Sequence, residues 1–173
     1  MCERRMQNFR ILSEIDVECL PSELYAFVTT PDNWAGSHPA TKGVKGETDS
    51  PRGLGSKWIE IIEAPGSGRR FEAQWLVVRE EAPRVWEIKA IDFGGLPATV
   101  TITYLIEAKR SGPEGSASAE SITHFKRDMV TSPPDDFEVS ESLRASLTSR
   151  ESHDQYLRAI KRRIDESKSN RET

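Results

Sequence analysis

From Lys57 to Asp128 the chain is written almost wholly as alternating strands divided by turns, and one long amphipathic helix follows. Val100, Ile102, Tyr104 and Ile106 alternate with Thr99, Thr101 and Thr103, which is a half-buried strand with a wet Thr face. The same period marks Lys57–Glu63, Phe71–Val78, Val85–Ile91 and Glu120–Asp128. Gly66-Ser67-Gly68 closes the first of these with a hairpin turn, and Ser111-Gly112-Pro113-Glu114-Gly115-Ser116 is a polar hairpin tip. Upstream, Phe9, Ile11, Ile15 and Val17 predict one more strand. Pro21-Ser22 opens a short helix carrying Leu24, Phe27 and Val28, and Thr30-Pro31-Asp32 opens a second helix of about one turn. A poorly patterned strand is expected near Gly43–Glu47. Downstream, Asp135 with Glu138 predicts a capped helix running to about Glu166, which Thr148-Ser149 could bend. A sheet of that size has one apolar face to cover, and only the long helix can cover it. The expectation is one α+β domain over residues 9–166, with tails at 1–8 and 167–173.

Composition narrows the partners. The chain has 36% hydrophobic and 30% charged residues and a formal net charge of −4. Mild acidity argues against a general nucleic-acid binder. No apolar run approaches the roughly 18 residues of a membrane span, and the N-terminus does not read as a secretory signal. Cys2 and Cys19 are in no C-x-x-C, so neither a disulfide scaffold nor a zinc site is expected. Together these predict a cytoplasmic protein with reduced thiols.

One segment points to a family. Thr30-Pro31-Asp32-Asn33-Trp34 with Ser37-His38-Pro39 resembles the "D-x-x-x-W … W-x-P" segment of the SRPBCC superfamily, which includes START domains and polyketide cyclase/dehydrase proteins. The usual second Trp is Ser37 here. Leu54-Gly55-Ser56-Lys57-Trp58 is similar to that family's "G-x-G-S" entry to a strand. The resemblance covers roughly residues 9–166. It implies a helix-grip fold: a curved antiparallel sheet of about six to seven strands around a long C-terminal helix, with two short helices after the first strand. It also implies a deep apolar cavity under that helix, and great functional spread.

The candidate site follows from period and position. Trp58, Trp75, Trp86 and Tyr104 lie on four strand segments and can all point to one face, where they would line an aromatic cavity. Typical small-molecule cavities measure roughly 300–1,000 Å³; the bland alternative is that the rings fill the core. Glu60 alternates with Trp58 and Ile62, so it faces in if Trp58 does, and burial would raise its pKa. Asp92 is a weaker carboxylate candidate. His38 lies in the loop after Trp34, where the family places the cavity mouth, and an imidazole there suits acid–base work. On the last strand Thr123, Phe125 and Arg127 share one face and His124 the other; period two does not say which points inward. His153 reads as a partly buried helix histidine. The candidate set is therefore His38 and Glu60 as catalytic residues, with Trp34, Trp58, Trp75, Trp86, Tyr104, Thr123, Phe125 and Arg127 as substrate-binding residues. Three scattered His residues make no metal site.

Other signals read blandly. Gly53-Leu54-Gly55 precedes a strand rather than a helix, so it is a turn and not a phosphate loop. The basic cluster Arg158, Lys161, Arg162, Arg163 and Lys168 reads as a solvated helix end, with an anionic partner as the alternative. The functional expectation is a cofactor-free cyclase, isomerase or lyase acting on a lipophilic polyketide- or terpenoid-like molecule. The alternatives are a non-catalytic carrier or sensor of a hydrophobic small molecule, and an interaction scaffold with a filled cavity. No nucleic-acid partner is expected, and a homodimer is left open.

Overall fold

Seven strands form one antiparallel sheet in the order β1-β7-β6-β5-β4-β3-β2. They are β1 (Phe9–Glu18), β2 (Thr41–Lys45), β3 (Lys57–Glu63), β4 (Arg70–Glu81), β5 (Val85–Phe93), β6 (Thr99–Lys109) and β7 (Ile122–Ser132). The structure is a computed structural model and describes residues 7–109 and 121–173. Cys2, the tip at Ser111–Ser116 and the expected strand start at Glu120 lie outside the described residues. Consecutive strands from β2 to β7 pair as neighbours, and β1 returns beside β7.

Alternation decides the faces. Phe9, Ile11, Ser13 and Val17 of β1 are buried, while Val100, Ile102, Tyr104 and Ile106 of β6 bury the opposite half of their period from Thr99, Thr101 and Thr103. The register shifts at Gln74/Trp75 and Val77/Arg79 of β4 and at Thr41/Gly43 of β2. Such bulges sharpen the twist and bend a strand, and the sheet curls into a half-barrel. Gly94 holds the turn after β5 at φ +64°, and a Cβ there would lie 2.6 Å from the Phe71 ring, so only glycine fits that turn.

The concave face is gripped by helices. α1 (Pro21–Val28) starts on Pro21, with Glu23 accepting from the Leu20 N–H at 3.2 Å, and buries Leu24, Tyr25 and Val28. A single 3-10 turn at Pro31–Asn33 follows. At the C-terminal end the expected cap is corrected. Asp135 lies in an exposed turn closed by Phe137 N–H on the Pro134 carbonyl, and the first helix, α2 (Glu141–Thr148), is capped by Ser140, whose hydroxyl accepts from Leu143 N–H at 3.2 Å. Phe137 and Val139 are only half-buried, so a helical turn there would gain little burial. Ser149 is extended at ψ 123°, so the expected bend is a full break. α3 (Glu151–Ser169) then buries Tyr156, Leu157, Ala159, Ile160 and Ile164 as one stripe and runs three residues past the expected end. The result is the helix-grip α+β arrangement. No described helix is long and apolar enough to cross a membrane.

Candidate functional site

The strand registers put the ring-bearing residues on one face. Trp58 sits opposite Trp75, Trp86 opposite Tyr104, and Tyr104 opposite Arg127. All five are buried. The rings face each other in series. Trp34 meets Trp58 edge-on at 5.6 Å, Trp58 stacks on Trp86 at 5.8 Å, Trp86 tilts against Tyr104 at 5.3 Å, and Tyr104 meets Phe125 edge-on at 5.3 Å. Offset and edge contacts of this kind are the favoured ring geometries. Trp34 donates to the Val28 carbonyl and Trp86 to the Arg52 carbonyl, both at 2.9 Å. These rings occupy the interior with each other.

Beside them lies a polar cluster. Glu60 of β3 faces inward opposite Ala73, whose small side chain leaves room for it. Its carboxylate accepts from Trp75 Nε1 at 2.9 Å and from the Thr41 hydroxyl. Burial pushes the Glu60 carboxyl above the usual carboxylate range, against the pull of those two bonds and of the Arg127 charge.

Arg127 faces inward from β7 with Thr123 and Phe125, which settles the face question; His124 points outward to Asp16 and Glu14. The Arg127 guanidinium lies 5.9 Å from the Tyr104 ring centre and 5.6 Å from that of Tyr156. It donates to His153 Nδ1. Its Nε has no partner among the described residues, nor has the Tyr156 hydroxyl or Trp58 Nε1. A buried guanidinium without a hydrogen-bonded carboxylate is costly.

His38 closes the cluster from the loop. Its ring lies 5.0 Å from Tyr156 and 5.4 Å from His153. Nδ1 accepts from the Ala40 N–H at 3.1 Å, so the proton of the neutral ring sits on Nε2. Burial, with Arg127 and His153 adding to it, holds His38 well below its ordinary value. Burial and Arg127 likewise press His153 down to about 3. Burial raises the Tyr156 phenol well above its ordinary value. Both histidines are therefore neutral N–H donors at physiological pH.

The remaining candidates have local duties. Thr123 donates to the Cys19 carbonyl at 2.6 Å, tying β7 to the end of β1. Asp92, expected as a weak inward carboxylate, is exposed and accepts from Gly95 N–H in a turn. Ser37, in the place of the family's second Trp, accepts from Arg163 of α3 at 2.6 Å, and Arg163 also donates to the Asn33 carbonyl. That pair holds the His38 loop on the helix. Sequence reasoning left out Tyr156 and Thr41 and gave His153 the bland reading. His153, Tyr156, Leu157 and Ile160 fall at helical spacing on one face, and that was the available signal.

With this geometry in view, the comparisons are informative. Penitrem biosynthesis cluster 1 protein I of Penicillium ochrochloron is 30% identical over 166 residues, covering 94% of this chain and 100% of that protein. This chain belongs to the same family, with the helix-grip fold of the SRPBCC superfamily. Among solved structures, a point mutant of norcoclaurine synthase from Thalictrum flavum, in complex with a transition-state analogue, superposes with TM-score 0.64 at 15% identity. It covers 94% of this chain and 98% of that one. A START superfamily protein from Mycobacterium smegmatis gives TM-score 0.63 at 12% identity, over 91% and 97% of the two chains. At such identities the likeness concerns the fold alone. No family model matches the chain.

Proposed function

We propose that this protein is a cofactor-independent cyclase, isomerase or lyase acting on a lipophilic secondary metabolite of polyketide or terpenoid type. The observation that carries the reading is the buried cluster of Glu60, Arg127, His38 and Tyr156 set against the aromatic rings. A plain carrier needs apolar surface; it does not need a desolvated carboxyl beside donors that lack partners. Kinship to a protein of a penitrem biosynthesis cluster supports the metabolite class.

The chemistry follows from the donors and the one carboxyl. Arg127 Nε, the Tyr156 hydroxyl and His38 Nε2–H are three donors able to hold a carbonyl oxygen as it gains negative charge. Glu60, raised by burial, is a stronger base when ionised than an exposed carboxylate. Each carboxylate oxygen has two lone pairs, so the bonds from Thr41 and Trp75 leave it able to accept a substrate proton. Removal of a proton beside the carbonyl, with return at another carbon or loss of a leaving group, gives isomerisation or elimination. The rings Trp34, Trp58, Trp86 and Phe125, packed on one another, form the apolar wall behind the cluster. Thr123 positions β7.

The test uses extract from source cells lacking the gene. Purified protein is added well below stoichiometric amount, and small molecules are followed by mass spectrometry. Catalysis predicts that one compound disappears over many turnovers, with an isomer or dehydrated product in its place. A compound recovered unchanged at one per chain would make the protein a carrier and remove the catalytic roles of Glu60 and His38.

A further inference from the structure

A cleft of about 480 Å³ opens between the loop carrying His38 and the outer side of α3. Its wall holds three cations, Lys42, Arg158 and Arg162, together with Gln155, and it has no carboxylate. In a chain of net charge −4 that grouping does not follow from composition.

The helix dipole does not account for it. Dipole stabilisation of cations is confined to about the last turn, which Lys168 occupies, bonded to the Glu18 carbonyl. Arg163 is engaged by Ser37 and Asn33. Arg158 and Arg162 lie further back and sit one turn apart, which is unfavourable for like charges. Among the described residues neither has a carboxylate within ion-pair distance, and Lys42 has only Glu63 at 3.8 Å.

Two residues join this cleft to the buried cluster. His38 and Thr41 both line it; His38 packs on Tyr156 and His153, and Thr41 donates to Glu60. The β2 bulge is the device behind this. Thr41 pairs with Ile62 and Gly43 with Ile61, so Lys42 is the extra residue. Bulges next to sites re-aim side chains; here Thr41 turns to Glu60 and Lys42 lines the cleft.

We infer that this cleft holds an anionic group, a carboxylate or a phosphate, at one end of the ligand whose apolar part reaches the buried cluster. This rests on the reading of the cluster as a small-molecule site. The ligand is then an amphiphile with an acid at one terminus.

Two fluorescent probes separate the claims: anilinonaphthalene sulfonate and its uncharged parent, phenylnaphthylamine. The sulfonate is expected to bind wild type about tenfold tighter than the parent or better, with the gain shrinking as salt rises. Arg158→Gln with Arg162→Gln should erase that gain and leave the parent's affinity within about twofold, since both side chains are exposed. Arg158→Lys with Arg162→Lys should retain most of it. Acetate and inorganic phosphate, as competitors, report which acid the site prefers. Equal affinity of the two probes for wild type, or an unchanged gain in the Gln variant, overturns the inference while the apolar-ligand reading stands. Arginine-dependent sulfonate binding without any parent binding supports the anion site and counts against the apolar reading. Binding of neither probe overturns both.

Discussion

The interior has two halves built on the same strands, and they obey different rules. In one, Trp34, Trp58, Trp86, Tyr104 and Phe125 lie in ring contact, and the Trp34 and Trp86 N–H groups reach backbone carbonyls. In the other, Arg127 and Tyr156 are equally buried and the two histidines half-buried, and Arg127 Nε and the Tyr156 hydroxyl lack partners among the described residues, as Trp58 Nε1 does among the rings. Buried polar groups are normally satisfied, so each unpaired one costs stability, and the Arg127 charge costs most. The difference teaches where packing ends: the rings are held by contact with one another, while the cluster carries charge and polar groups that packing alone does not satisfy.

That contrast can be broken by substitution. The largest effect is expected in turnover. Glu60→Gln keeps the volume and removes the titrating carboxyl, and should lower the rate on the compound found in the extract assay by about 10²–10⁴-fold. Unaltered turnover would move the chemistry elsewhere. In stability the largest effect lies in the rings. Trp86→Ala empties a fully buried site and should cost about 3–5 kcal/mol in denaturant unfolding. Arg127→Met, equally central, should cost no more than about 1 kcal/mol, because a buried cation without a hydrogen-bonded carboxylate is replaced by an apolar chain. A loss matching that of Trp86→Ala would make the two halves alike.

Acidity sharpens the comparison further. His38 and His153 resist protonation when folded and accept it when unfolded, so stability is complete above about pH 6.5 and falls as the pH drops toward their folded values. Glu60 has the opposite sign: it keeps its proton above the ordinary carboxylate range, and its contribution is lost as the pH rises through its folded value. Between pH 6.5 and 5, His153→Gln should flatten the stability–pH slope by up to about 1.4 kcal/mol per unit, and Glu60→Gln should shift it in the opposite direction. The check is denaturant melts at stepped pH; parallel curves for all three proteins would mean these groups titrate normally. The smallest effect belongs to Thr123→Val, about 1 kcal/mol of stability for the lost bond to Cys19, with turnover unchanged.

Much of this was legible beforehand because strand period is a local property. Alternation allowed Trp58, Trp75, Trp86 and Tyr104 one common face and tied Glu60 to Trp58; strand register then placed all five inward. The helix start was misread at Asp135 because a cap motif is also local, but its use depends on what the next turn buries; Leu147 lies close enough to the sheet for α2, while Phe137 and Val139 do not fill a comparable place. His153 is half-buried on its helix as expected, while its bond from Arg127 depends on a residue of β7 that the helix pattern does not contain.

The amino-acid order by itself determined the strand succession from Lys57 onward, the shared period of the Trp and Tyr positions and the C-terminal amphipathic stripe, since each follows from periodicity and turn chemistry among near neighbours. Tertiary structure alone decided that Arg127 turns inward to His153, that Thr41 reaches Glu60, and that Arg158 and Arg162 meet Lys42 across a cleft. Those pairings join residues far apart in the chain, and only strand register and the seating of α3 on the sheet bring them within reach.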